Sequence, residues 1–131
     1  MRRRLQFTLL ICLFLGGRAY PSECGDLGTQ NAMDRCVLSE LQKADNELND
    51  AYNGYRSRLD VDQKRRFKDA QLAWVKFRDL ACGFESSGVE GGSIHPFILR
   101  SCLARLTRTR LKELSFLANC KEGDLSCPAP K

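Results

Sequence analysis

Six cysteines constrain this chain more than any other feature. They are Cys24, Cys36, Cys82, Cys102, Cys120 and Cys127. A seventh, Cys12, lies inside an opening that reads as a removable leader. "MRRR" is basic, "LQFTLLICLFLGG" is apolar but too short to span a bilayer comfortably, and "GRA" sets Gly17 and Ala19 three and one residues before a cut. Residues 1–19 are therefore expected to be a Sec-type signal peptide. Cys12 follows Ile11, not the small residue an acylation site needs, so no lipobox is expected. An even cysteine set in a small exported domain points to disulfides. Zinc is the competing reading, but no CxxC pair exists and the lone His95 is far from any close cysteine pair.

Removing the leader also changes the charge. The formal net charge of the 131-residue chain is +5, from 21 basic and 16 acidic residues. Loss of Arg2, Arg3, Arg4 and Arg18 leaves 17 basic residues, so the mature chain is about +1. The basic character belongs mostly to the leader, which removes the main support for nucleic-acid binding. No later apolar run is long enough to cross a membrane. The expected location is the periplasm or the outside of the cell, and the oligomeric state is left open.

Residues 20–131 read as a single all-α domain. A small disulfide-linked bundle of three main helices is expected: an antiparallel hairpin plus a third helix. The helical core covers about 29–119 and a polar tail covers 120–131. The first helix spans about Thr29 to Leu59, with Thr29 as N-cap. Met33, Val37, Leu41, Ala44, Leu48, Ala51 and Tyr55 recur at spacings of three and four. Asp60 and Gln63 form a capping-box pattern that starts the second helix, expected to end near Cys82. Its apolar side is read as Phe67, Ala70, Trp74, Phe77 and Ala81. The glycine-rich segment "GFESSGVEGGSIHP", residues 83–96, breaks the chain, and Pro96 suits the first turn of the third helix. That helix carries Leu99, Cys102, Leu103, Leu106, Leu114 and Leu117 and ends near Asn119.

In order and spacing, several fragments resemble the lysozyme inhibitor LprI N-terminal domain family, formerly a domain of unknown function. They are Cys24 with "TQNAMDRC" (29–36), "ADNELNDAY" (44–52), "AQLAWVKFRDLAC" (70–82), "EGGS" (90–93) and "CLARLTRTR" (102–110). The resemblance covers roughly residues 24–117. It implies an exported, mostly helical, cysteine-containing bacterial domain with a role in inhibiting lysozyme. Two features depart from the family's pattern: the leader lacks the lipoprotein anchor of the founding type, and Cys120 and Cys127 are additional to the four matching cysteines.

Read from the residues, the cysteine pairing stays open. A hairpin turning near residue 60 sets Cys36 level with Cys82 to within about three residues, which favours Cys36–Cys82 with Cys24–Cys102. The rival is Cys24–Cys36 with Cys82–Cys102. Cys120 pairs with Cys127 in the favoured scheme.

On the second helix, Phe67 and, within "AQLAWVKFRDLAC", Trp74, Arg78 and Ala81 share one face. Arg78 among apolar neighbours needs partners, because an unpaired buried charge is very costly. The first helix offers Asp45, Asn49 and Tyr52 on one flank. The expected network joins these to Gln71, Trp74, Arg78 and Arg110, with Asp45 pairing Arg78 or Arg110 and Asp79 serving the third helix. Paired carboxylates suit glycosidase-like chemistry, but these have basic neighbours that favour ionised structural groups. No nucleophile elbow, metal-ligand pair or phosphate-cradling loop is present, so neither catalysis nor a cofactor or metal is expected.

The glycine loop is the candidate for contact with a protein partner, through Glu90, Gly91, Gly92, Ser93 and His95. The plainer reading is that the glycines turn the chain and Ser93 or His95 caps the third helix. The basic run "RLTRTRLK" (105–112) spreads its charge over several faces, and a solvated face is its default reading. Two functions stay in competition: an inhibitor of lysozyme-type cell-wall hydrolases, and an envelope scaffold or binding module with another partner.

Overall fold

The computed structural model describes residues 23–128; the expected leader, 1–19, lies outside them. Three long helices make up most of the described chain, with no strand among those residues. They are α1 (Gln30–Ser57), α2 (Val61–Ser86) and α3 (His95–Ala118), preceded by a 3-10 turn at Glu23–Asp26. Among the described residues no helix is long and apolar enough to cross a membrane.

Local chemistry accounts for most helix ends. The Thr29 hydroxyl accepts from Ala32 N at 3.2 Å and starts α1. Asp60 Oδ1 accepts from Gln63 N at 2.8 Å, and Gln63 Oε1 accepts from Asp60 N at 3.3 Å, completing a capping box for α2. The second helix runs a turn past the expected end at Cys82, through Gly83 to Ser86. The Ser86 and Ser87 hydroxyls donate to the carbonyls of Gly83 (3.3 Å) and Phe84 (2.7 Å), satisfying acceptors that a helix end otherwise leaves bare. The third helix has Pro96 in its first turn, but its N-cap is Ile94, with no side-chain cap bond. Ser93 therefore does not cap it, and His95 is its first residue. At its other end, Arg58 donates to Ala118 O at 2.9 Å, a cation at the negative end of the helix.

Pair contacts define an up–down–up order. Asp34 pairs with Arg100 near one end, and Arg58 meets Ala118 at the other, so α1 and α3 run parallel. Tyr52 lies against Phe67, and Asp45 against Arg78, so α2 runs antiparallel to α1. The closest backbone approach is between α1 and α3. Buried Val37, Ala44, Ala104 and Thr107 are small enough to allow it. The second helix approaches α3 less closely, and α1 chiefly through long side chains.

The apolar core sits toward the α1–α2 turn. It consists of buried Leu48, Tyr55, Leu59, Phe67 and Leu114, with Trp74, Leu111 and Leu117 packed against it. Tyr52 stacks on Phe67 at 4.8 Å, and Tyr55 meets the same ring edge-on at 5.1 Å. The expected α1 stripe is buried or half-buried throughout. The α2 stripe is not. Ala70 is exposed, and Phe77 is 59% exposed. The inward side of α2 is instead the row Phe67, Gln71, Trp74, Arg78 and Cys82, and Phe77 lies about 60° beyond Trp74 on the outer side. The tail is exposed over 121–126, but Tyr55 Oη donates to Pro128 O at 3.0 Å, which ties Pro128 to the core.

The disulfides are Cys24–Cys36, Cys82–Cys102 and Cys120–Cys127. The favoured Cys36–Cys82 and Cys24–Cys102 pairing is overturned, and the rival holds. Level position in a hairpin is not proximity. The backbones of α1 and α2 stay apart, so Cys82 finds α3, while the 3-10 turn folds Cys24 back onto α1.

Candidate partner-binding site

The segment between α2 and α3 forms the disulfide-bound end of the bundle. A 3-10 turn at Ser87–Val89 follows α2 directly. Three backbone bonds then fold the loop on itself: Glu90 N to Ser87 O (3.2 Å), Gly92 N to Val89 O (3.0 Å) and His95 N to Gly92 O (3.1 Å). Gly91 has φ +79°, which explains a glycine there. A Cβ at Gly92 would sit 3.1 Å from Val89 O, so this turn tolerates little bulk. Cys82–Cys102 closes the segment at its base over a sequence separation of 20. The result is a short loop with its own internal bonds, held between two cross-linked helices.

Its side chains divide into anchored and free. His95 is half-buried, with Nε2 3.2 Å from Ser86 Oγ. That hydroxyl already donates to Gly83 O, so His95 Nε2–H is the donor between them. Ser86 is fully enclosed at 0% exposure, so the pair offers no accessible nucleophile. Glu90, Gly91, Gly92 and Ser93 are all exposed. Glu85, just before the loop, pairs with Arg105 at 2.7 Å. Of the five residues singled out, the structure thus makes His95 an anchor and leaves the other four presented to solvent. Ser86 was not foreseen: a serine at the end of a helix carries no signal of a histidine that the loop will fold onto it.

The network on α2 lies deeper, between this end and the apolar core. The Arg78 side chain is 15% exposed. Its Nη1 donates to Asp45 Oδ1 (3.1 Å) and to Thr107 Oγ1 (3.0 Å), and its Nε donates to Asp79 Oδ1 (3.0 Å). Thr107, fully buried, donates its own hydroxyl proton toward Asp45 at 3.5 Å. One guanidinium therefore links all three helices. Arg110 donates to Gln71 Oε1 (3.1 Å) and Glu113 (2.9 Å). Both guanidiniums lie over Trp74, with Cζ atoms 5.4 and 5.7 Å from the ring centroid.

Three expected members differ. Asp79 serves Arg78 on its own helix, because it lies round toward solvent from α3. Asn49 is exposed and takes no part in these contacts. Tyr52 contributes its ring to Phe67 and not a polar bond. Every carboxylate in the network meets an arginine, so the arrangement is suited to holding helices in register.

The family model described as "Lysozyme inhibitor LprI" matches residues 22–114. That span takes in the first two disulfides and ends before the third. A protein of Rhizobium meliloti (strain 1021), described as uncharacterized, is 34% identical over 118 residues, covering 90% of this chain and 77% of that protein. No solved structure matches the chain.

Proposed function

The chain belongs to the lysozyme inhibitor LprI family, and from that membership we propose that it is an exported, non-catalytic protein that binds and inhibits lysozyme-type cell-wall hydrolases. The observation that carries the reading to a place on the molecule is the loop after α2. Its backbone is bonded to itself, its base is closed by Cys82–Cys102, and its exposed tip is Glu90–Ser93. A segment ordered before binding loses less conformational freedom when it enters a cleft. In this reading the Ser93 hydroxyl and the Gly91 N–H approach the acidic groups of a hydrolase cleft, while Gly92 N–H stays bonded within the loop and His95 holds it from beneath. Three disulfides fit an oxidising compartment, in keeping with export to the periplasm or beyond. A mature charge near +1 gives no bulk steering toward a partner, so recognition rests on local contacts.

The test is lysozyme turnover in the presence of purified, oxidised protein starting at residue 20. Inhibition at micromolar concentration that is weakened by Ser93→Trp or Gly91→Val supports both the function and the site. Inhibition indifferent to both changes keeps the function and moves the site. No inhibition of several lysozyme classes refutes the reading, and a different envelope protein recovered by pull-down would then favour a scaffold or binding module.

A further inference from the structure

The first three turns of α2 carry cations and exposed aliphatic side chains on a single flank. Val61, Lys64, Arg65, Lys68 and Leu72 are spaced so that all five fall within about 100° of arc, turned away from buried Phe67. Val61 and Leu72 are 85% and 59% exposed. Arg65 and Lys68 are exposed and Lys64 is half-buried. Charge is concentrated at this end of the bundle. Residues 56–68 hold six arginines and lysines against Asp60 and Asp62, a local charge of +4. The mature chain is only about +1, so the remainder is about −3. Asp62 is shared by Arg65 and Arg66, at 2.6 and 2.7 Å, and Asp60 is committed to the cap of α2. Among the described residues no carboxylate pairs with Arg56, Lys64 or Lys68. Asp79, two turns beyond Leu72 on the same flank, ends the strip.

We propose that this strip docks the protein on the surface of a bilayer containing anionic phospholipid. The chemistry of the strip selects the partner. A cluster of cations is attracted to a negative lipid surface, and the aliphatic side chain at each end of the cluster enters the headgroup boundary. Each lysine lays its methylene stem along that boundary and keeps its ammonium among the phosphates. A soluble polyanion would satisfy the cations but would leave Val61 and Leu72 in water. The rest of the molecule, at about −3, is repelled by the same surface, so the charge asymmetry decides which end of the bundle approaches it. The glycine loop lies at the opposite end and stays clear of the bilayer. The inference does not depend on the target of that loop.

Co-sedimentation of the oxidised protein starting at residue 20 with sucrose-loaded vesicles tests the proposal. With about one third phosphatidylglycerol in phosphatidylcholine, at about 50 mM salt, half of the protein is expected to pellet at a lipid concentration on the order of 0.1 mM. With phosphatidylcholine alone, or in about 0.5 M salt, it stays in the supernatant. Lys64→Ala and Lys68→Ala each raise the lipid concentration required about fivefold. Val61→Ser and Leu72→Ser, which change no charge, each raise it about fivefold as well. Lys43→Ala removes a cation of α1 that is 78% exposed and lies outside the strip, and it leaves binding unaltered. Circular dichroism melts show that each variant compared is folded. No pelleting with anionic vesicles, equal pelleting with neutral ones, or a Lys43→Ala variant as impaired as Lys68→Ala would each overturn the proposal. Undiminished pelleting of both Val61→Ser and Leu72→Ser would also overturn it, in favour of a purely electrostatic site for polyanions.

Discussion

Arg78 on α2 reaches Asp45 on α1 at 3.1 Å while its side chain is only 15% exposed. The same guanidinium nitrogen donates to Thr107 on α3 at 3.0 Å. The first two of these helices have little direct backbone contact with each other, so the charge pair is a main tie between them. The partners are unequal: the Asp45 side chain is 41% exposed and keeps much of its hydration. The burden of the pair therefore falls on the arginine.

Removing Arg78 should cost more than removing Asp45. Arg78→Ala is expected to lower unfolding free energy by about 3 kcal/mol, through lost bonds to three helices and lost packing on Trp74. Asp45→Ala should cost about 1–2 kcal/mol, because solvent screens that side of the pair. Urea unfolding of both single variants and the double gives the coupling. Additivity within about 0.4 kcal/mol would show that the contact contributes nothing of its own.

Opening Cys82–Cys102 should act on the loop as well as on global stability. Replacing both cysteines with serine is expected to cost about 3 kcal/mol by loop-closure entropy. Amide exchange at residues 88–95 should accelerate with it, because the base of the loop is released. Cys120–Cys127 closes a shorter span, and opening it should cost about 2 kcal/mol. That change should leave exchange in the glycine loop unaltered, and equal acceleration in both variants would contradict the proposed clamp.

Gly91→Ala places a side chain at φ +79° and is expected to destabilise the protein by about 1 kcal/mol. Gly88→Ala, in open space and without positive φ, should be close to neutral. Thermal melts of the two variants make the comparison. Equal effects would mean that the turn conformation matters little to the fold.

Stability should fall at alkaline pH through Tyr55. Burial holds its phenol above the ordinary 10.0, opposed by the smaller pull of Arg58. The sign follows from linkage: a raised folded-state value means the neutral phenol is favoured in the fold. Its contribution is complete below pH 10.0 and is lost as pH rises through the higher folded-state value. The hydroxyl also donates to Pro128 O, a bond that ionisation removes. Tyr55→Phe should be less stable at neutral pH and lose less stability between about pH 9 and 11, measured by chemical unfolding. A parallel decline in both proteins would remove Tyr55 from the account.

Much of this architecture is legible in the chain itself. Thr29, and Asp60 with Gln63, act within three residues of themselves, so their caps are written into a short stretch of chain. The stripes of α1 and α3 also follow from local spacing, because each helix has one buried side and that side repeats every three or four residues. The exposed tip of the glycine loop was legible in the same way, from residues whose backbone freedom marks a turn.

The tertiary structure decided everything that depends on which helix is whose neighbour. It placed α3 closest to α1, kept the α1 and α2 backbones apart, and so paired Cys82 with Cys102 and left Cys36 to Cys24. It turned α2 so that Phe77, expected on the apolar side with Trp74, faced water. It brought His95 over Ser86. The amino-acid sequence by itself determined the three helices, the N-caps of α1 and α2 and the all-α class, since those rest on interactions between residues a few positions apart; the start of α3 at His95, with no side-chain cap, was not among them. The disulfide pairing, the choice of Arg78 over Arg110 as the partner of Asp45, and the outward turn of Phe77 required the three helices to be assembled, because each turns on contacts between distant segments that helical periodicity leaves unspecified.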